Sequence, residues 1–316
     1  MNKRNIFLLA ILLLQIVLIG YMYRPGKETV APVVEFFPGI EQDKVIGLII
    51  TDNEQDSITL KKGEQGWTIE PDGYPVNGIK ADSLAGKLVS LKSTRLVTRT
   101  ASSRIRLKVD DETFEQKIKI LIDDGKSYLI FLGASPGNNT IHVRMEGEDE
   151  VFLVKGLSSW EAPTENSAWW KNRYVEMTPE ELVEVELTNS HGSFKITKGK
   201  DNTWKNVESG ADETVSMEKA EEFLRRAGMI SLTKYLGRDE DESYGLKTPV
   251  AELILQSKQK SISLKIGPKD EETDNHVVKA SDSPFYVRVG SFVIKDILEK
   301  KFEDLLDQPQ SPSSVQ

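Results

Sequence analysis

VIGLIITDNEQDSITLKKGEQGWTI (45–69) and LVEVELTNSHGSFKITKGKDNTWKN (182–206) together decide the fold. Each reads as a strand, a polar turn, a second strand, another turn and then a tryptophan. Trp67 and Trp204 are spaced as Val45 and Leu182 are, and the register continues with little drift. Leu88 answers Leu224, Gly133 answers Gly267, and His142 answers His276. A period of roughly 135 residues is far longer than the about 20–50 of a solenoid repeat, so it marks a duplicated domain. The two units run over 36–170 and 171–306.

In VEVEL, Val183, Val185 and Leu187 alternate with glutamates, the period-two pattern of a half-buried strand. After the tryptophan strand each unit carries one helix. In the second unit Ser216 caps it, Ala220, Phe223, Leu224 and Ala227 form its stripe, and Gly228 ends it. Leu84, Leu88 and Leu91 mark the equivalent face in the first. Hairpins follow in IKILIDDGKSYLIFLG and AELILQSKQKSISLKIG, and two further strands close each unit. FVIKDILEKKFEDLL then predicts a final amphipathic helix with Ile294, Ile297, Leu298, Phe302 and Leu305 on one face. The expected class is α+β: two homologous antiparallel-sheet units, each with a helix packed on one face, behind an N-terminal transmembrane helix.

That helix is read from IFLLAILLLQIVLIGYMY (6–23), which contains no charge and only Gln15 as a strongly polar side chain. At about 1.5 Å per residue it makes roughly 27 Å of helix, close to a hydrocarbon core of about 30 Å. Tyr21 and Tyr23 fall at the interface and Arg24 ends the span. The exit LIGYMYRPGKE lacks the small-residue cleavage site of a signal peptide, and the chain has no cysteine to carry a lipid. A short cytoplasmic head (1–5), a signal-anchor and a tether (24–35) are therefore expected to precede a body facing the periplasm or cell exterior of a bacterial inner membrane. Gln15 is the position expected to make any helix–helix contact in the membrane. QPQSPSSVQ, from Gln308, is a polar tail (307–316 in all) without the composition to fold.

The chain is acidic, with 50 Asp and Glu against 41 Lys and Arg and a formal net charge of −9. Such a surface repels nucleic acid, so none is expected as a partner. The three histidines stand far apart, with no H-x-x-x-H pair and no cysteine, so no metal site or cofactor is predicted. His142 and His276 read as equivalent strand-surface residues in the two units. No G-x-S-x-G elbow or G-x-x-x-x-G-K-[ST] loop is present. GASPGNNT (133–140) has the composition of a phosphate loop but lacks its lysine and following helix, so it reads as a turn. RDEDES (238–243) lacks the ligand spacing of a calcium loop and reads as solvated.

ESYGLKTPVAELIL (242–255), GWTIEPDGYPVNGIKADSLAGKLVSLKSTRLV (66–97) and the junction WWKNRYVEMTPEELVEVELT (169–188) resemble the domain-of-unknown-function 4340 family. The most specific element is Tyr-Gly-Leu-x-x-Pro, here Tyr244, Gly245, Leu246 and Pro249. The first unit has RIRLKVDDETFEQKIKI in its place, as though the element were lost there or never present. The family has no established catalytic residues to carry over. Some members resemble, or lie beside, the soluble component of gliding-motility-type ABC transporters, which implies a transporter-accessory role.

Trp160, Trp169, Trp170 and Tyr174 cluster at the boundary between the units. They are expected either to pack one unit on the other or to form a partner or ligand patch. Three functions follow from these readings. The first is a non-enzymatic scaffold or accessory subunit that binds an envelope or integral-membrane protein. The second is a small-molecule or glycan-binding module seated between the units, and the third is a hydrolase without a recognisable motif. Oligomeric state is not legible.

Overall fold

The computed structural model describes residues 12–16, 18, 32–207 and 215–307. The first unit runs β1 (Val34–Glu35), β2 (Val45–Asp52), β3 (Ser57–Gly63), β4 (Gly66–Glu70), β5 (Tyr74–Pro75), α1 (Gly78–Val89), β6 (Lys92–Ser93), β7 (Leu96–Thr98) and α2 (Ala101–Arg106). It closes with β8 (Gln116–Ile122), β9 (Ser127–Leu132), β10 (Thr140–Met145) and β11 (Val151–Lys155). The second runs β12 (Arg173–Glu176), β13 (Leu182–Asn189), β14 (Gly192–Lys198), β15 (Trp204–Asn206), α3 (Met217–Ala227), β16 (Met229–Ser231) and β17 (Lys234–Gly237). After it come β18 (Ala251–Ser257), β19 (Ser261–Asp270), β20 (Asn275–Ala280), β21 (Tyr286–Gly290) and α4 (Lys295–Glu299).

These strands form a nine-stranded antiparallel sheet, β5-β4-β3-β2-β8-β9-β10-β11-β7, and an eight-stranded one, β15-β14-β13-β18-β19-β20-β21-β17. The second repeats the order of the first, apart from β5. The two-stranded pairs β1–β6 and β12–β16 also correspond. The protein is thus mostly β, which corrects the α+β expectation. Strands make up far more of the described chain than helices do, and the helices that interrupt them are few and short. Among the described residues no helix is long and apolar enough to cross a membrane. The span expected over 6–23 lies outside the described residues apart from 12–16 and 18, which are helical, and Gln15 is exposed there. The tail beyond residue 307 is also outside them.

Each sheet buries one face against its own core. Leu48, Ile50, Ile118, Ile120 and Leu132 fill the first, and Val185, Leu187, Leu253, Leu255 and Leu264 the second. Ala220, Phe223, Leu224 and Ala227 of α3 are all buried, as their spacing predicts. Val183 is not in the core. A register shift between Leu182 and Glu184 turns Leu182 inward instead. The final amphipathic helix is also shorter than its pattern. α4 stops at Lys300, whose extended backbone (ψ 132°) leads into a separate turn at Phe302–Leu305. The Asn189 amide explains the break, since its Nδ2 donates to the carbonyls of Ile297 (3.0 Å) and Lys300 (2.9 Å) and stands in for helical partners.

The Tyr-Gly-Leu element has a counterpart in the first unit after all. Gly245 is left-handed (φ 65°) between Tyr244 and buried Leu246. Lys108 is left-handed as well (φ 56°), between Leu107 and buried Val109. Both segments cross over a glycine of the sheet, the first over Gly133 just past β9 and the second over Gly267 within β19. The backbone path is kept while the residue letters differ, which hid the match in the sequence.

The histidines are not equivalent. Leu132 pairs with Val143, whereas Ile266 pairs with Val278, so the second hairpin is one residue longer. His142 therefore corresponds to Val277 and points to the opposite face from His276. Neither is on the strand surface: both are buried, with Nδ1 on the carbonyls of Ala134 (2.5 Å) and Gly267 (2.9 Å) respectively.

Candidate functional site

The end of the first sheet that carries β5 meets the end of the second that carries β17 and β21, and aromatic rings fill the contact. Tyr74 packs against both cores. It stacks on Tyr235 at 4.8 Å with the rings 18° apart, and lies 5.2 Å from Phe285. Trp170 meets Tyr235 edge-on at 5.6 Å, and the Arg238 guanidinium covers Phe285 at 4.9 Å. The chain between the units is sewn to β5 by backbone bonds: Asn77 N–H donates to Trp169 O (2.7 Å) and Lys171 N–H to Pro75 O (2.8 Å).

The four boundary aromatics divide into different roles. Trp169 is fully buried in the first core, its Nε1 donating to Pro163 O (2.8 Å) and the Lys80 ammonium over its ring at 4.5 Å. Trp170 is half-buried, and its Nε1 has no hydrogen-bond partner among the described residues. Tyr174 Oη donates to Phe285 O (2.7 Å) and accepts from Ala280 N–H (2.8 Å), which ties β12 to the strands beside it. Trp160 alone is open to solvent, 77% exposed. Of the Tyr-Gly-Leu-x-x-Pro residues, Leu246 is buried and Pro249 half-buried, and Tyr244 lies 5.4 Å from the Tyr286 ring. They shape the β19 crossing and do not reach the junction groove.

Beside the aromatic contact runs a groove of about 850 Å³, whose walls include Trp67, Asn77, Ile79, Arg173, Tyr174 and Phe285. A smaller hollow of about 330 Å³ shares Asn77 and Ile79 with it and adds Trp160. Asn77 caps α1, its side chain accepting from Lys80 N–H (3.3 Å). The cap holds Ile79 in the first turn, away from the inward stripe of Ala81, Leu84, Ala85 and Leu88, and Ile79 is 85% exposed. The residues missed from sequence are Tyr74, Ile79, Tyr235 and Phe285. For Ile79 a signal existed, an isoleucine off the apolar stripe of its own helix.

Burial pushes the Tyr174 and Tyr235 phenols up from their ordinary value, the Tyr174 charge adding to the effect on Tyr235. Folding therefore holds these phenols neutral, and an unfolded chain ionises them near pH 10. Their contribution is fully present below about pH 10 and is lost as pH rises beyond it. Tyr235→Phe removes the bond to Lys171 O (3.2 Å) and is expected to cost about 1 kcal/mol at pH 7. Urea melts should show that deficit shrinking above pH 10, where only the native tyrosine carries the ionisation penalty. A deficit that stays constant with pH would refute the assignment.

A general acid needs a carboxyl with a raised pKa, and Asp82 beside Trp67 goes the other way. Burial opposes its ionisation, but hydrogen bonds from Lys62 (2.9 Å) and Trp67 Nε1 (2.9 Å) hold it low. Among the described residues no group of three or more His, Asp or Glu is arranged to hold a metal.

The fold and junction define a class of two-sheet β protein whose units meet through an aromatic contact flanked by an open groove. The family model described as Domain of unknown function (DUF4340) matches residues 67–249, more than half of the chain, and the protein belongs to that family. No curated protein matches the chain. No solved structure matches it either.

Proposed function

We propose that the protein is a non-enzymatic adaptor, held at a bacterial inner membrane by its apolar N-terminal segment, whose extracytoplasmic body docks an envelope or integral-membrane protein. The observation that carries this reading is the pair Ile79 and Trp160, two large apolar side chains exposed on the walls of one hollow. Exposed tryptophans next to a pocket are the anchors that dominate protein–protein binding energy. The continuous groove beside them offers Arg173, Glu176 and Asp282, charges of both signs for a polar rim. The membrane placement is supported by the charge-free run 6–23. A transporter-accessory role is one form such an adaptor takes.

The test is co-purification of the full chain in mild detergent beside Ile79→Ser/Trp160→Ala. The native chain is expected to bring down one integral-membrane protein reproducibly, and the double variant to lose most of it. Both side chains are exposed, so the variant's stability should change by no more than about 0.5 kcal/mol per site. Equal recovery by the two chains, or recovery of the chain alone, would refute the proposal. A second reading, a small-molecule or glycan module, is favoured by one feature, the concave junction groove lined by Trp67, Tyr174 and Phe285.

A further inference from the structure

At the opposite end of the first sheet lies a second open cavity, of about 800 Å³, between the β6–β7 link, β11 and the β9–β10 turn. Its walls carry Lys92, Arg95, Lys155 and His142 and, among the described residues, no aspartate or glutamate. In a chain with nine more acidic than basic residues, a wall of one sign is a local reversal of the overall field. Lys92 is neutralised at the rim by Glu35 (2.7 Å). Arg95 and Lys155 have no ion-pair partner among the described residues.

The backbone around these cations is fixed. Ser93 Oγ donates to Leu153 O (2.7 Å) and accepts from Arg95 N–H (3.0 Å), while Leu153 N–H donates to Arg95 O (3.0 Å). The Gly137-Asn138-Asn139 turn is left-handed at all three residues (φ 100°, 54° and 53°) and is pinned to the end of β11 by Gly156 N–H donating to Asn139 O (3.0 Å). The buried His142 ring has Nδ1 on Ala134 O, and a carbonyl only accepts, so Nδ1 carries the proton and Nε2 is left over. The Asn138 amide has no hydrogen-bond partner among the described residues. A guanidinium, an ammonium and an amide thus border one hollow with their donors unspent.

We infer that this cavity binds a small phosphate-bearing anion through Arg95 and Lys155, with Pro136, Gly137 and Asn138 of the turn on its wall. Arg supplies a planar pair of donors and Lys a point charge, the combination suited to phosphate oxygens. The GASPGNNT segment thereby borders an anion site without being a nucleotide loop. The phosphate could come from a lipid headgroup or from a free solute. Val33, at the end of the tether 24–35, lines the cavity. The lipid source, unlike the site itself, rests on the membrane placement proposed above.

The experiment titrates the full chain in neutral detergent with inorganic phosphate and, separately, with short-chain phosphatidylglycerol, by calorimetry. The native chain, Arg95→Ala/Lys155→Ala and the control Lys258→Ala/Lys260→Ala are compared, the control removing equal charge from an exposed turn of the second sheet. Saturable binding is expected, weakened about tenfold or more in the cavity variant and unchanged in the control. Tighter binding of the phospholipid identifies a headgroup site, and equal or tighter binding of phosphate a solute site. Equal weakening in both double variants, or no saturable binding of either probe, overturns the inference. Matching thermal melts of the two variants separate lost binding from lost fold, and none of these residues lines the Ile79–Trp160 hollow.

Discussion

Replacing Gly267 by alanine is expected to destabilise the second unit by about 3 kcal/mol. A Cβ there would sit 2.0 Å from the Tyr244 carbonyl oxygen and 3.5 Å from that of Val277, where no side chain can move aside because both obstacles are backbone. The crossing segment would have to lift, and Leu246 would leave the core with it. Gly133→Ala should behave alike, since its Cβ would lie 2.2 Å from Leu107 O and 2.7 Å from Lys108 O. At about 2–4 °C per kcal/mol for domains of this size, each melt should fall by roughly 6–12 °C. Gly63→Ala is the control, because its nearest neighbour would be 3.9 Å away and its backbone is unstrained. A melt for either crossing variant within a degree or two of the control would show that the crossing carries no constraint.

Those two glycines also mark what the sequence could and could not convey. Their recurrence was visible, because a close backbone approach admits only one residue type and so leaves a letter in the chain. The element that crosses them was legible in one unit only. Lys108 takes the left-handed conformation of Gly245 at some cost in strain, and nothing in its chemistry announces it. The strands and α3 were legible because burial on one face imposes a period. The single-residue register change that separates His142 from His276 was not, because a hairpin one residue longer preserves the apparent spacing of letters while reversing the face. The α+β expectation gives each helix the weight of a layer, whereas α1 and α3 are single short helices against sheets of nine and eight strands. The aromatic contact beside the groove joins Tyr74 of the first unit to Tyr235 and Phe285 of the second, residues far apart in the chain, so no local pattern could join them.

Trp169→Ala is expected to cost about 3–5 kcal/mol, the range for deleting a buried large aromatic. Its indole is wholly buried, its Nε1–H satisfied by Pro163 O, and its ring lies under the Lys80 ammonium. The same residue reaches the proposed docking face through its backbone, since Trp169 O accepts from Asn77 N–H. Asn77 is the cap of α1 and a wall of both hollows. Lys80 follows it and also donates to Ala168 O (2.7 Å). An alanine at 169 would leave a void under Lys80 and loosen the first turn of α1, where Ile79 is presented. Trp160→Ala removes a larger share of the exposed apolar surface but touches none of these bonds, so it should leave the melt nearly unchanged while weakening partner recovery. Hydrogen exchange gives the discriminating measurement. The amides of Asn77, Lys80 and Ala81 should exchange faster in Trp169→Ala under conditions where the fold is retained, and at the native rate in Trp160→Ala. Faster exchange in both variants would mean that Trp160 also supports the helix start, and the docking face could no longer be separated from the core beneath it.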